Sequence, residues 1–287
     1  MRILLTGHAG LAGAAAHRLL TTSGFDVRGF DLAEGDDLLD RRAVERAAAG
    51  CGAVVHAAAL NNDKAGTPGQ IQAVNVLGTW HVLQAAVRAG AGRVVYFSSV
   101  QVFGIFEGEQ LPEYLPFDDD HPRNASRPYG LSKCQAEDLC AGVTATSGIT
   151  TVCLRPVQIW TAEHYHEVIR RWQRNPASEW QPFWEFGAFV DVRDVAAAVL
   201  AALSRPAGGH LRATLCASDI SATAPGREMA RRMLPGVPWR GGSEFDADPW
   251  TALVRGRAAG ALGWRPQYTW SRWLAESGTR PVKWLRG

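Results

Sequence analysis

Three side chains of this sequence could share one proton. Tyr129-Gly-Leu-Ser-Lys133 sets a phenol and an ammonium four residues apart, which puts both on one face of a helix. The ammonium of Lys133 would lower the phenol pKa, so Tyr129 can exchange a proton with a substrate alcohol or carbonyl. Upstream, Val94-Val-Tyr-Phe-Ser-Ser99 is an apolar run that ends in hydroxyls. As a strand of a parallel sheet it would carry Ser99 to the carboxyl edge, where such sheets bind ligands. There Ser99 can hold the same substrate oxygen. A tyrosine and lysine at this spacing are, taken alone, more often a solvated helix face, so the chemistry depends on what surrounds them.

A second group of residues supplies that context. Thr6-Gly7-His8-Ala9-Gly10-Leu11-Ala12-Gly13 follows the first apolar run and opens a helical pattern. Glycines there let the backbone turn sharply and approach a pyrophosphate, while the helix N-terminus offers N–H groups and a favourable dipole. A glycine pattern alone is a weak signal and fits an ordinary strand-to-helix turn. Asp31 strengthens it, because it ends the next apolar run about 20 residues on, where a carboxylate can hold the adenosine ribose hydroxyls. That carboxylate would repel a 2′-phosphate, and no Arg or Lys stands in the glycine turn, so NAD is favoured over NADP. Arg28, three residues before Asp31, weakens the preference.

The elements that must position these residues follow from the hydrophobic pattern. Short apolar runs at 3–5, 27–30, 53–59, 94–97 and 150–154 alternate with helical patterns at 12–20, 71–89 and 129–145. Strands without inside/outside alternation, each followed by a helix, imply a parallel sheet covered on both faces. The expected fold is α/β, a doubly wound Rossmann-like parallel sheet with a small C-terminal substrate-facing lobe. Residues 1–159 are expected to form the dinucleotide-binding core. Residues 160–188 and 205–287 would form the lobe, with 189–204 returning to the core as a strand entering an Ala-rich helix. The segment 104–128, with four prolines and an acidic run, is too long for a simple connection and should border a site. The stretch from 206 onward reads as irregular and Trp-rich, and no internal repeat is present.

Composition bounds the alternatives. The 287 residues are 46% hydrophobic and 20% charged, a globular composition with enough chain for a large core. A formal charge of +2, with basic residues scattered among acidic ones, argues against a nucleic-acid partner. No run approaches the roughly 18 apolar residues of a membrane-spanning helix. The start MRILLTGHAG is not expected to be a signal peptide, because its apolar run is cut short by glycines, and a cytoplasmic location is expected. The cysteines Cys51, Cys134, Cys140, Cys153 and Cys216 are odd in number and lack CxxC spacing, so neither a disulfide framework nor a zinc site is indicated.

From residue 6 to 203 the chain resembles the extended short-chain dehydrogenases/reductases, also called the NAD-dependent epimerase/dehydratase family. The resemblance rests on TGHAGLAG at 6–13, Asp31, DLLD at 37–40, HAAA at 56–59, NVLGT at 75–79, SSVQVFG at 98–104 and YGLSK at 129–133. LRP at 154–156, FVDVRDVA at 189–196 and LGWRPQY at 262–268 also fit. It implies that Tyr129 is the catalytic acid/base, that Lys133 also binds the nicotinamide ribose, and that Ser99 bonds the substrate oxygen. It implies further that Gly7, Gly10, Leu11, Gly13 and Asp31 hold the dinucleotide, and that Asp37 and Leu38 flank adenine. Ala57, Ala58 and Ala59 would line the cofactor, Asn75 would steady the neighbouring helix and bind the cofactor, and Pro156 would sit near the nicotinamide. Family members commonly dimerise through helices like those at 71–89 and 129–145, so a homodimer is implied.

Departures from the family pattern narrow the chemistry. Dehydratases carry Asp-Glu directly after the hydroxyl residue, where this chain has Val100-Gln101. Nucleotide-sugar epimerases bring an Arg just before the FVxVxDVA segment to clamp a diphosphate, and here the sequence reads WEFGAF at 184–189, with Gln158 where Asn is common. Arg170, Arg171 and Arg174 could compensate, but read better as a solvated helix face. The insert between Trp160 and Phe189 is shorter than a full nucleotide-binding lobe, and short inserts of this kind resemble members that oxidise free sugars or sugar acids or reduce small ketones. Gln101, Gln158 and Trp160 are candidate substrate contacts beside Ser99. Tyr165, Trp172, Trp180, Phe183 and Trp184 are either further apolar walls or lobe packing. His164 and His166 lack a third ligand by spacing, and the run from Asp118 to His121 reads as a solvated loop, so no metal is expected. The leading function is NAD-linked hydride transfer at a secondary alcohol or ketone of a sugar-derived small molecule. The alternatives are a nucleotide-sugar epimerase and a non-catalytic dinucleotide sensor.

Overall fold

The computed structural model describes residues 1–106, 108–175, 185–204, 208–222 and 224–278. In chain order the first half runs β1 (Arg2–Thr6), α1 (Leu11–Thr22), β2 (Asp26–Phe30), α2 (Arg41–Ala48), β3 (Ala53–His56) and α3 (Pro68–Gln72). A π turn at Ala73–Leu77 joins α3 to α4 (Gly78–Arg88), and β4 (Arg93–Phe97) follows. After the short β5 (Phe117–Asp118) come α5 (Pro128–Ser147), β6 (Thr150–Pro156), β7 (Ile159–Trp160) and α6 (Ala162–Arg174). The remainder is β8 (Val190–Asp191), α7 (Val192–Ser204), β9 (His210–Leu215), α8 (Gly226–Met233), α9 (Glu244–Ala247), β10 (Val254–Arg255) and α10 (Trp270–Ser277).

Six strands form one parallel sheet in the order β2-β1-β3-β4-β6-β9. Alternate residues of each strand enter opposite layers. Ile3, Leu5, Val55, Val95 and Val152 pack with Ala16 and Leu20 of α1 and Val195 and Ala198 of α7. Leu4, Val54, Val94, Tyr96 and Cys153 face the other way, against Val44 of α2, Val82 and Ala86 of α4, and Ala136 and Cys140 of α5. Burial on both faces explains why the strands read as unbroken apolar runs. Chain direction across the sheet reverses at β1, which opens a crevice beyond the carboxyl ends of β1 and β3. Among the described residues no helix is long and apolar enough to cross a membrane, and all five cysteines are unpaired thiols.

Two expectations are corrected. The stretch after residue 206 is not wholly irregular: β9 is the edge strand of the core sheet, in register with β6 from Thr151↔His210 to Pro156↔Leu215. Its first residues, His210-Leu-Arg, are half exposed at the edge, so no apolar run marks it. The acidic run before His121 is not a solvated loop either. The Asp119 carboxylate accepts N–H bonds from Thr214 (2.6 Å) and Ala258 (2.8 Å), and His121 is buried. With β5 paired to β10 and Leu115 donating to Pro238 O, segment 108–127 is a strap fastened to the C-terminal part.

Candidate active site

A cleft of about 870 Å³ runs along the carboxyl ends of the strands. Gly7, Gly10, Leu11, Gly13, Asp31, Asp37, Leu38, Ala57, Ala58 and Ala59 line one end, and Ser99, Gln101, Tyr129, Lys133, Pro156 and Gln158 line the other. Residues from Gly7 to Gln158 therefore share one cleft.

At the first end the glycine turn is closely packed. Gly7 has φ +72°, donates to Phe30 O at 2.8 Å, and lies so close to β3 that a Cβ on it would sit 2.4 Å from Ala58 N. A Cβ on Gly13 would be 2.0 Å from Gly7 O. No side chain caps the N-terminus of α1 at Gly10, and the first-turn amides of a helix have no intrahelical acceptor. Asp31 is fixed by accepting from Ala9 N (3.0 Å) and Ala33 N (2.9 Å). The room left by absent side chains, the helix N-terminus and the fixed carboxylate together fit a dinucleotide.

The other end holds the three groups expected to exchange a proton. Ser99 follows β4, and its Oγ accepts from Gln101 N at 3.1 Å. Tyr129 and Lys133 lie one turn apart on α5. Lys133, only 2% exposed, donates from Nζ to Phe97 O at 2.7 Å and sits 4.8 Å from the Tyr96 ring centre and 5.7 Å from that of Tyr129. Burial pushes Lys133 down to about 7 and Tyr129 up to about 12, although a hydrogen bond with Ser99 opposes the latter rise. The expected lowering of the phenol by Lys133 is thus not what the protein alone displays: desolvation is the largest cause of both shifts, because it disfavours the charged form of both groups.

Behind this end lies a buried ionic centre that the motifs did not point to. Glu137, fully buried and four residues beyond Lys133 on α5, accepts from Arg155 Nε (2.7 Å) and Nη2 (2.8 Å) and from Ser98 Oγ (2.7 Å). Arg212 Nε lies 3.1 Å and Arg123 Nη1 3.4 Å from the same carboxylate. These bonds hold Glu137 below its ordinary carboxylate pKa despite burial, and they tie the end of β4 to α5. The spacing Tyr129, Lys133, Glu137 on one helix face was the available signal.

Asp63, Glu109, Arg127 and Glu185 also line the reacting end. Glu185 and Phe186 have φ of 44° and 55°, conformations that non-glycine residues adopt at a cost, and the Glu185 carboxylate accepts from Gln158 N. Asn75, expected to contact the cofactor, instead stands buried behind the residues that line the cleft, with Oδ1 accepting from Leu60 N (2.8 Å) and Nδ2 donating to Leu60 O (2.9 Å), so it acts on the wall and not on the cleft itself.

Trp160 is a correction. Ile159 faces the cleft, so the next side chain of the strand points the opposite way. Trp160 is 1% exposed and stacks on Phe189 at 4.4 Å within a third core that includes Tyr165, Trp172 and Trp270. Tyr165 and Trp172 are likewise packing residues, while Trp180, Phe183 and Trp184 lie outside the described residues. His164 caps α6 through Thr161, and His166 packs edge-on against Trp273. Arg170 and Arg174 pair with glutamates on the exposed face of α6.

A family model described as the NAD dependent epimerase/dehydratase family matches residues 3–214. The chain belongs to this family. Within it, the chain is 32% identical over 166 residues to a uronate dehydrogenase of Pseudomonas syringae pv. tomato, covering 54% of this chain and 58% of that protein. It is 33% identical over 180 residues to a quinoline-oxide ketoreductase of Stigmatella aurantiaca, covering 57% and 52%. The chain thus spans about half the length of the curated relatives it matches. Among solved structures, a short-chain dehydrogenase/reductase superfamily protein of Agrobacterium tumefaciens with bound NAD superposes at a TM-score of 0.71. It is 28% identical, covering 97% of this chain and 96% of that one. The expected family and the doubly wound fold are both borne out.

Proposed function

We propose that this epimerase/dehydratase family member is an NAD-dependent oxidoreductase acting on a secondary alcohol or ketone of a sugar-derived small molecule. The observation that carries the proposal is the meeting of Ser99, Tyr129 and Lys133 in one cleft with the glycine turn and Asp31. Gly7, Gly10, Leu11 and Gly13 would hold the pyrophosphate, Asp31 the adenosine ribose, and Asp37 and Leu38 the adenine. Ala57, Ala58, Ala59 and Pro156 would flank the remainder. NAD, when bound, supplies the hydride acceptor or donor. Tyr129 exchanges the proton of the substrate hydroxyl, Ser99 holds the same oxygen, and Lys133 binds the neighbouring ribose and biases the phenol. Gln101 and Gln158 contact the substrate. The fixed Asp31 carboxylate disfavours a 2′-phosphate, consistent with the NAD in the Agrobacterium protein.

Exposed Leu77, Trp80 and Val87, spaced three and seven residues apart along the π turn and α4, form an apolar face, and Leu131 of α5 is also exposed. We assign this surface to a homodimer, which Trp80→Glu should dissociate in sedimentation. Five unpaired thiols suit the reducing cytoplasm.

The deciding assay follows absorbance at 340 nm with NAD or NADP and free sugars, sugar acids, secondary alcohols and nucleotide sugars. Tyr129→Phe should lose about 10²–10⁴-fold in rate while retaining NAD affinity. Isomerised nucleotide sugar without net cofactor reduction would replace this reading with an epimerase. Cofactor binding with no turnover of any substrate would replace it with a sensor.

A further inference from the structure

The first turn of α5 carries the reacting phenol, yet no side chain of its own caps it: Arg127 at the N-cap makes no side-chain capping bond, and Pro128 follows. The amides there have no intrahelical acceptor, so whatever accepts from them fixes where Tyr129 stands. For Tyr129 that acceptor comes from across the cleft. Asp63, in the loop after β3, takes the Tyr129 N–H on Oδ1 at 2.7 Å, and its Oδ2 lies 4.0 Å from Arg127 Nη1. The same loop holds the other side of the Tyr129 peptide. Asn75, bonded to both backbone groups of Leu60, donates to Ser132 Oγ at 3.0 Å, and Ser132 Oγ donates to Tyr129 O at 2.7 Å. Loop 60–63 therefore grips Tyr129 by its N–H directly and by its carbonyl through two side chains. It continues Ala57, Ala58 and Ala59 along the cleft wall.

We propose that Asp63 is a positioning residue of the enzyme, clamping the backbone of Tyr129 so that the phenol is held at the reacting end of the cleft. The inference rests on the role given to Tyr129 above. A carboxylate accepting a backbone N–H at a helix N-terminus makes a charge-assisted bond that also satisfies the helix dipole. Being in trans, it ties a strand-end loop to the helix, where a local cap would fix only the helix itself. The negative charge has a second effect, because it opposes ionisation of the phenol.

The test uses the NAD-loaded full chain and compares Asp63→Ala, which removes the acceptor, with Asp63→Asn, which keeps an acceptor oxygen without the charge. Amide hydrogen exchange at Tyr129, read by NMR, should speed up about tenfold or more in Asp63→Ala and stay within about threefold of wild type in Asp63→Asn. With the substrate found in the 340 nm screen, Asp63→Ala should lower kcat about tenfold, with KM, NAD affinity and thermal midpoint little changed, and Asp63→Asn should restore most of it. Unchanged exchange in Asp63→Ala overturns the clamp. So does faster exchange with kcat within twofold of wild type, and so does a kcat loss that Asp63→Asn fails to rescue. Failure of the oxidoreductase reading appears separately, as absence of turnover by wild type, and the exchange measurement then decides the clamp by itself.

Discussion

Lys133→Met offers a test of the electrostatics of the reacting end that needs no substrate. In the protein alone Lys133 is buried against Phe97 O and the Tyr96 ring, and burial brings it from 10.5 to about 7. A base whose pKa is lowered on folding binds fewer protons in the folded state between those two values, so stability gains from rising pH across that window. Below pH 7 the lysine is charged in both states, and the full desolvation cost weighs on the fold. The displacement corresponds to at most about 5 kcal/mol. Lys133 lines a cleft that admits water, so we take about 2 kcal/mol as the effective value. Methionine removes that cost at every pH. Thermal unfolding of the cofactor-free proteins should therefore find the variant about 5 °C more stable at pH 6. The gap should shrink to about 1 °C at pH 10, while groups common to both proteins cancel. A gap that does not change between pH 6 and pH 10, or a variant less stable at pH 6, would refute the assignment of a desolvated lysine with a lowered pKa.

Other perturbations reach the remaining parts of the site. Glu137→Gln leaves Arg155, Arg212 and Arg123 facing a neutral amide in a buried centre, and urea unfolding should show a loss of about 3 kcal/mol or more. Gly13→Ala puts a Cβ 2.0 Å from Gly7 O, so NAD affinity measured by calorimetry should fall at least about tenfold, with a stability cost of about 1–3 kcal/mol in thermal melts. Asp31→Ala frees Ala9 N and removes the charge that opposes a 2′-phosphate. The ratio of NAD to NADP affinity should then drop about tenfold or more, and an unchanged ratio would place cofactor selection elsewhere.

How much of this site could be read from sequence depends on whether local or tertiary physics decided each residue. The placement of the glycine turn, Asp31, Ser99, Tyr129 and Lys133 along one cleft was legible because its requirements are local: a turn with no room for Cβ, a strand end, one face of one helix. Trp160 was misplaced because an aromatic one position from the cleft-facing Ile159 differs from it only by strand parity, and a two-residue strand carries too little pattern to set parity. β9 was missed for a related reason. An edge strand needs only one buried side, and His210-Leu-Arg has no apolar run to mark it. Asp63 was out of reach in another way, since the N–H it accepts belongs to Tyr129, 66 residues on, and Glu137 offered only its helical spacing from Tyr129 and Lys133, its partner Arg155 lying 18 residues further along the chain.

The pKa values show the same division most sharply. Spacing alone puts an ammonium beside a phenol and suggests that each favours the charged form of the other. Desolvation reverses that, since it acts on each group separately and both drift toward neutrality. A cationic nicotinamide ring in the cleft would restore part of the field that favours phenolate. On the function proposed above, the pair would become fully competent for proton exchange only in the loaded cleft, which would couple the start of chemistry to the presence of the hydride acceptor.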